Sequence, residues 1–303
     1  MKPLGRVMAT DYLTANHCPA NVLFVARLTK GTTPMILVTG ATGHVGGALL
    51  RHLSVPARML TRDAARALPG VEVAVGDLAD PASLAPAFAG VEKLFLMDPV
   101  FSPDGTRNAV HAAKEAGVKH IVLLSSIGVT LDPLPLLGAE HAEREAIVRD
   151  SGIAWTLLRP SHFATNTARW IGELEAGRPV VHADGDARYP TIDPADIGEV
   201  AALVLGGGHE GRAYVLTGEE PLSVAEQAAV LAARLGVEAR VTGVAPEQAE
   251  RGMLASGMPP KLAAAIRDLH EATRAGRTGV VTPTVRELLG RAPRGYADWV
   301  GAL

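Results

Sequence analysis

Short apolar runs recur along the chain at residues 35–38, 56–61, 71–75, 93–97, 120–124 and 154–158, each bounded by polar, glycine or proline positions. Such continuous runs suit strands buried on both faces of a parallel sheet, rather than half-solvated strands that alternate apolar with polar. Helical patterns lie between them at residues 46–53, 81–89, 105–116 and 138–151, with Pro81 near the start of its segment and Gly90 just past the end. Strand and helix alternate through six βα repeats, which predicts an α/β fold of the Rossmann type, a doubly wound parallel sheet.

Beyond Arg159-Pro160 the rhythm loosens. The pattern predicts a helix over 165–175, a strand at 180–182, a helix over 194–205, a strand at 213–217 and a helix from Ser223, as N-cap, to Leu235, with Gly236 beyond it. Residues 246–290 read as helical with a break at Pro259-Pro260. Residues 35–160 are thus expected to form a nucleotide-binding domain. Residues 161–303 are expected to complete the sheet and build a small C-terminal α/β lobe over its carboxyl edge, where substrates enter such folds. Met35 stands at the first strand, so residues 1–34 are expected to be a poorly ordered extension.

The 303 residues carry a formal charge of −3, which gives no electrostatic case for nucleic acid or an anionic membrane surface and leaves a small-molecule substrate as the partner. Asp11, Asn16, His17 and Pro19 interrupt any signal-like apolar core, and no run of about 18 apolar residues would span a bilayer. Cys18 is the sole cysteine, so an intrachain disulfide or thiolate metal site is excluded and a reducing, cytoplasmic setting is expected. A homodimer is the default assembly.

The chemistry begins at Thr39-Gly40-Ala41-Thr42-Gly43-His44-Val45-Gly46, a G-x-x-G-x-x-G turn between the first strand and the first helix. Gly40 permits the sharp turn, Gly43 lets main-chain N–H groups approach a pyrophosphate, and Gly46 lets the helix pack closely. The helix N-terminus then faces the anion. With Gly76-Asp77-Leu78, Ser125-Ser126, Leu158-Arg159-Pro160 and Asp193-Pro194-Ala195-Asp196-Ile197, the chain resembles the NmrA-like atypical short-chain dehydrogenase/reductases, and within them the quinone-oxidoreductase and triphenylmethane-reductase branch. The resemblance implies a bound NAD(P). It also implies that Gly40, Thr42, Gly43, His44, Val45 and Gly46 contact the pyrophosphate, that Asp77 and Leu78 border the adenine, and that Met97 and Asp98 face the nicotinamide side. Asp77 and Asp98 read equally as turn formers.

Arg62, at the end of the second strand, with Arg58 on the same strand, favours the 2′-phosphate of NADP (NADPH) over the ribose hydroxyl of NAD. The alternative is a solvated Arg62 with Asp63 as a helix cap. The superfamily's Tyr-x-x-x-Lys pair is missing, since no tyrosine lies between Tyr12 and Tyr189. In its place stand His141 and Glu145, either a proton donor whose pKa the carboxylate raises, or an ordinary helix-face pair. No third ligand makes them a metal site. Ser125 matches the family's strand-five serine, and His162, Phe163 and Asn166 are expected to line the substrate cleft. The function expected is NADP-dependent hydride transfer to a small hydrophobic, quinone- or dye-like acceptor. A non-catalytic NAD(P)-binding redox sensor of NmrA type is the alternative.

Overall fold

The structure, a computed structural model, describes residues 34–98 and 102–303; the expectation for residues 1–34 falls almost wholly outside them. Strand β1 (Met35–Val38) leads into α1 (His44–His52), and β2 (Ala57–Thr61), β3 (Glu72–Val75) and α2 (Leu84–Phe88) follow. Next come β4 (Val91–Leu96), α3 (Asp104–Ala116), β5 (His120–Leu124), α4 (Leu136–Arg149) and β6 (Ala154–Pro160). The second half contains β7 (His162–Phe163), α5 (Ile171–Glu175), β8 (Val180–His182), β9 (Tyr189–Ile192), α6 (Pro194–Leu205) and β10 (Arg212–Leu216). It ends with β11 (Pro221–Leu222), α7 (Val224–Leu235), β12 (Val241–Gly243), α8 (Pro246–Ala255), α9 (Pro260–Arg274), α10 (Thr284–Leu289) and α11 (Tyr296–Gly301).

Seven strands form one sheet in the order β10-β6-β5-β4-β1-β2-β3, with every pairing parallel. Both faces are buried. Along β1, Ile36 and Val38 enter a core with α1 and α6, while Leu37 enters one with α2, α3 and α4. Each fully buried leucine or phenylalanine there contributes roughly 2 kcal/mol of apolar burial. Helices α1 and α6 approach so closely that a Cβ on Gly198 would stand 2.5 Å from the Ala48 Cβ.

A third core, around Trp170, Leu174, Tyr189, Leu231, Tyr296 and Trp299, belongs to the C-terminal lobe. It holds the small sheet β11-β9-β7 and the pair β12-β8. The 180–182 strand therefore pairs with β12 and stays outside the main sheet.

Two of the expected helices differ in form, and the alternation of strand and helix lapses between β2 and β3. The β2–β3 connection holds only a 3-10 turn over Ala64–Arg66, because Pro69 and the positive φ of Gly70 follow at once. The 81–89 segment starts as a 3-10 turn, Pro81–Ser83, capped by the Asp80 carboxylate accepting from Ala82 N–H, and only then becomes α2. The 165–175 segment is 3-10 over Ala164–Trp170 before α5; there the Thr167 hydroxyl bonds back to the Ala164 carbonyl at 2.9 Å and diverts the backbone from an α-helix.

Candidate nucleotide and substrate site

The carboxyl ends of β1, β2, β3 and β4 enclose an open cleft of about 480 Å³. Its floor is the glycine turn. Gly40 has φ +63°, and a Cβ there would collide with the Met97 side chain at 2.2 Å. The Met97 main chain is fixed from the other side: its N–H donates to Thr39 Oγ1 at 2.7 Å, and that hydroxyl donates to the Met97 carbonyl at 2.9 Å. The end of β1 is thereby tied to the end of β4, and the thioether lies over the turn.

Gly43 caps α1 in extended conformation without a side chain. The first-turn N–H groups of α1 have no helical acceptor and carry the positive end of the helix dipole. Gly46 packs under the turn, where a Cβ would stand 2.4 Å from the Gly40 carbonyl oxygen. Val45 and Gly46 are buried and His44 is exposed, so these three meet the cleft through main chain alone or not at all; the cleft's own lining includes Gly40, Thr42 and Gly43. Partial desolvation of the ring against its neighbours pulls the His44 pKa down, with Asp193 opposing.

Arg62 lies in the cleft wall, and Arg66, four residues on, joins it. Both are exposed, and neither makes an ion pair among the described residues. Asp63 is a cap, its carboxylate accepting from Ala65 N–H at 2.9 Å. Arg58 is not part of the site: it bonds Glu72 at 2.7 Å and the carbonyls of Ala87 and Ala89, which staples β2 to β3 and to the end of α2. Asp77 and Leu78 line the cleft, and the Asp77 carboxylate also accepts from Ala79 N–H at 3.0 Å, an Asx turn. Asp98 sits in the wall with its carboxylate wholly buried, accepting from the Thr106 hydroxyl at 3.1 Å and 4.0 Å from Arg144. Its charge is thereby committed to the start of α3 and to α4.

The His141–Glu145 pairing requires correction. Glu145 is buried and engaged elsewhere: it accepts from Ser125 at 2.7 Å, from Arg159 at 2.8 and 2.6 Å, and from Arg149 at 3.3 Å. Burial, reinforced by Arg144, pushes the His141 pKa down to about 4, overriding the opposite pull of Glu145. The ring is neutral near pH 7, and its Nδ1 is buried without a partner. Ser125 is consumed by the same carboxylate, while Ser126 caps the following turn by accepting from Gly128 N–H.

The three expected substrate residues have different surroundings. His162 stacks on Tyr189 with ring centroids 4.3 Å apart, Phe163 packs against the core of the main sheet, and Asn166 is exposed. None lines the 480 Å³ cleft. Thr39 and Arg66 line the cleft beside the expected residues, and Arg66 is legible in the sequence as a second basic residue one turn beyond Arg62. Ser161, one residue past β6, has a buried hydroxyl that lacks a partner.

Residues 40–206 match the model of a family described as NAD(P)H-binding. The chain belongs to that family. It is an NmrA-like atypical short-chain dehydrogenase/reductase, as the motifs along its sheet imply. A reductase of (4-alkanoyl-5-oxo-2,5-dihydrofuran-3-yl)methyl phosphate from Streptomyces griseus is 40% identical over 274 residues, covering 88% of this chain and 96% of the relative. The NAD(P)H azoreductase of Xenophilus azovorans is 36% identical, covering 88% and 97%. Among solved structures, the NADPH-dependent quinone oxidoreductase of Escherichia coli complexed with NADPH superposes with a TM-score of 0.77 at 30% identity, over 88% of this chain and 99% of that one.

The cleft fits the cofactor such a family binds. A side-chain-free turn at a helix N-terminus suits a diphosphate, and two unpaired guanidinium groups at the far end suit a further phosphate.

Proposed function

We propose that the chain is an NADPH-dependent reductase that delivers hydride to a small, electron-poor, conjugated acceptor of the quinone or dye type. The observation that carries this reading is the cleft itself, with a bare glycine corner at one end and the uncommitted pair Arg62 and Arg66 at the other. The main chain at Gly40–Gly46 would hold the pyrophosphate, Arg62 and Arg66 the 2′-phosphate, and Met97 would border the nicotinamide. Bound there, the cofactor supplies the hydride. The protein orients it and excludes water.

The residues of α4 support this acceptor class. With the tyrosine–lysine pair replaced, and His141 neutral and Glu145 locked in ion pairs, the helix supplies no strong acid. Acceptors that take hydride readily are the ones such a site can serve. The relatives named as reductases of an azo group, a quinone and a butenolide phosphate share that feature, since each offers an electron-poor π system. The single cysteine fits a cytoplasmic setting, and a two-fold homodimer is the assembly proposed. Loss of NADPH absorbance with a simple naphthoquinone or an azo dye tests the reading. Turnover with at least one acceptor is expected; tight NADPH binding without turnover on any of them would favour the redox-sensor alternative.

A further inference from the structure

Outside the nucleotide cleft, a group of titratable side chains sits where the C-terminal lobe meets the carboxyl edge of the sheet. Asp184, in the loop after β8, is buried and receives two hydrogen bonds: Tyr189 O–H donates to one oxygen at 3.0 Å, and His270 Nδ1 stands 2.5 Å from the other. The Tyr189 ring is stacked under His162, two residues past the end of β6. Helix α9, which carries His270, is moored to the start of α4: Asp268 accepts from Leu136 N–H at 2.6 Å, and Lys261 pairs with Glu140 at 2.6 Å. The His270–Asp184 pair therefore lies over the β5–β6 flank, opposite the Arg62 flank, and so on the side where the reacting end of a dinucleotide would lie.

The hydrogen-bonding pattern fixes the imidazole. A carboxylate is acceptor-only, so His270 Nδ1 carries the proton of that contact, and the ring cannot turn without breaking it. Nε2 makes no hydrogen bond and is not sealed from solvent. An imidazole oriented by a buried carboxylate, with its far nitrogen open, is the arrangement that general acid–base chemistry requires. Tyr189 completes the carboxylate's hydrogen bonding and holds it in place. The other charged or titratable groups facing the pair are His162, His182, Asp186 and Arg274.

We propose that His270 is the proton donor of this reductase, supplying from the C-terminal lobe what the missing tyrosine–lysine pair supplies in the superfamily, with Asp184 and Tyr189 as positioning residues. The proposal rests on the reductase reading above. A quinone that has accepted hydride, two electrons and one hydrogen, from the reduced nicotinamide carries one anionic oxygen. The doubly protonated His270 ring gives up its Nε2 proton as the O–H bond forms there, which yields the hydroquinone and a neutral ring still donating Nδ1–H to Asp184, and a proton from solvent then restores Nε2–H. A cationic triarylmethane dye needs no such step: the new C–H bond at its central carbon neutralises the cation.

The test uses that difference. With the full-length protein and NADPH, His270→Asn is assayed against a naphthoquinone and a cationic triarylmethane dye. The quinone rate is expected to fall roughly 100-fold relative to the dye rate, the lower range of a lost general acid. Asp184→Asn, which keeps the ring but removes the acceptor that aligns it, is expected to lower the quinone rate selectively and by a smaller factor than His270→Asn, with the dye rate and NADPH affinity kept. A parallel loss on both acceptors in His270→Asn, or no loss on either, overturns the assignment. A wild-type protein that reduces neither acceptor overturns the reductase reading beneath it.

Discussion

The Ser125 hydroxyl donates a 2.7 Å hydrogen bond to the Glu145 carboxylate, which Arg159 grips with two further bonds at 2.8 and 2.6 Å. The position four residues after His141, where the superfamily keeps a lysine, thus holds a carboxylate neutralised by β6. Its role is to lock α4 onto the sheet. Glu145→Gln leaves the Arg159 guanidinium short of its counter-charge, and breaking a buried pair of this kind costs about 3 kcal/mol. Urea unfolding is expected to show that loss, while turnover per folded molecule changes only a few-fold. A variant of undiminished stability with turnover down by orders of magnitude would make Glu145 chemical instead of structural.

Gly46 is predicted to tolerate no side chain. An added Cβ would stand 2.4 Å from the Gly40 carbonyl oxygen and 2.8 Å from the Ala41 Cα, both main-chain atoms of the turn. Gly46→Ala must push α1 off the turn, at about 1–3 kcal/mol of overpacking strain. NADPH affinity is expected to fall at least roughly tenfold, as 1.4 kcal/mol of misplacement requires. Calorimetric titration at matched folded fraction measures it, and unchanged affinity would mean that the turn is not the anion cradle.

Acid lability follows from two imidazoles. Burial holds both His141 and His162 down to about 4 from the usual 6.5. The unfolded chain takes up these protons near pH 6.5, whereas the folded chain resists until about 4, so the stabilisation is complete above pH 6.5 and is lost as pH falls through that window. Each ring accounts for about 3 kcal/mol at most across it. The Tm is therefore expected to drop steeply between pH 6.5 and pH 4.5, and less steeply in His162→Gln. An equal slope in variant and wild type would contradict the burial argument for that ring.

The parallel sheet was legible because its strands are short apolar runs buried on both faces, and the glycine turn because its left-handed backbone at Gly40 and its close main-chain contact at Gly46 favour glycine. Helix α7 was equally plain: Ser223 accepts from Glu226 N–H and Gly236 ends the helix with positive φ. What the chain order hid was long-range charge pairing. Sequence spacing puts Glu145 beside His141, but Arg159 from β6 claims the carboxylate, and Arg58, next to Arg62 in the sequence argument, is spent on Glu72. Strands β7 and β11, two residues each, carry no run long enough to read, and β9 is interrupted by Pro190. The meeting of Asp184 with His270 spans 86 positions and needs the folded lobe to be seen.

The two cleft arginines give the account its most direct test. Arg62 and Arg66 line the cleft without a carboxylate partner among the described residues, and each charge-assisted bond to a 2′-phosphate contributes about 1.5–3 kcal/mol. Fluorescence titration of wild type and the Arg62→Ala/Arg66→Ala double variant with NADPH and NADH measures their share. The account predicts that wild type prefers NADPH by roughly tenfold or more, and that the double variant binds both nucleotides alike, with NADH affinity kept. Failure of wild type to bind either nucleotide, or an NADPH preference that survives loss of both arginines, would contradict it.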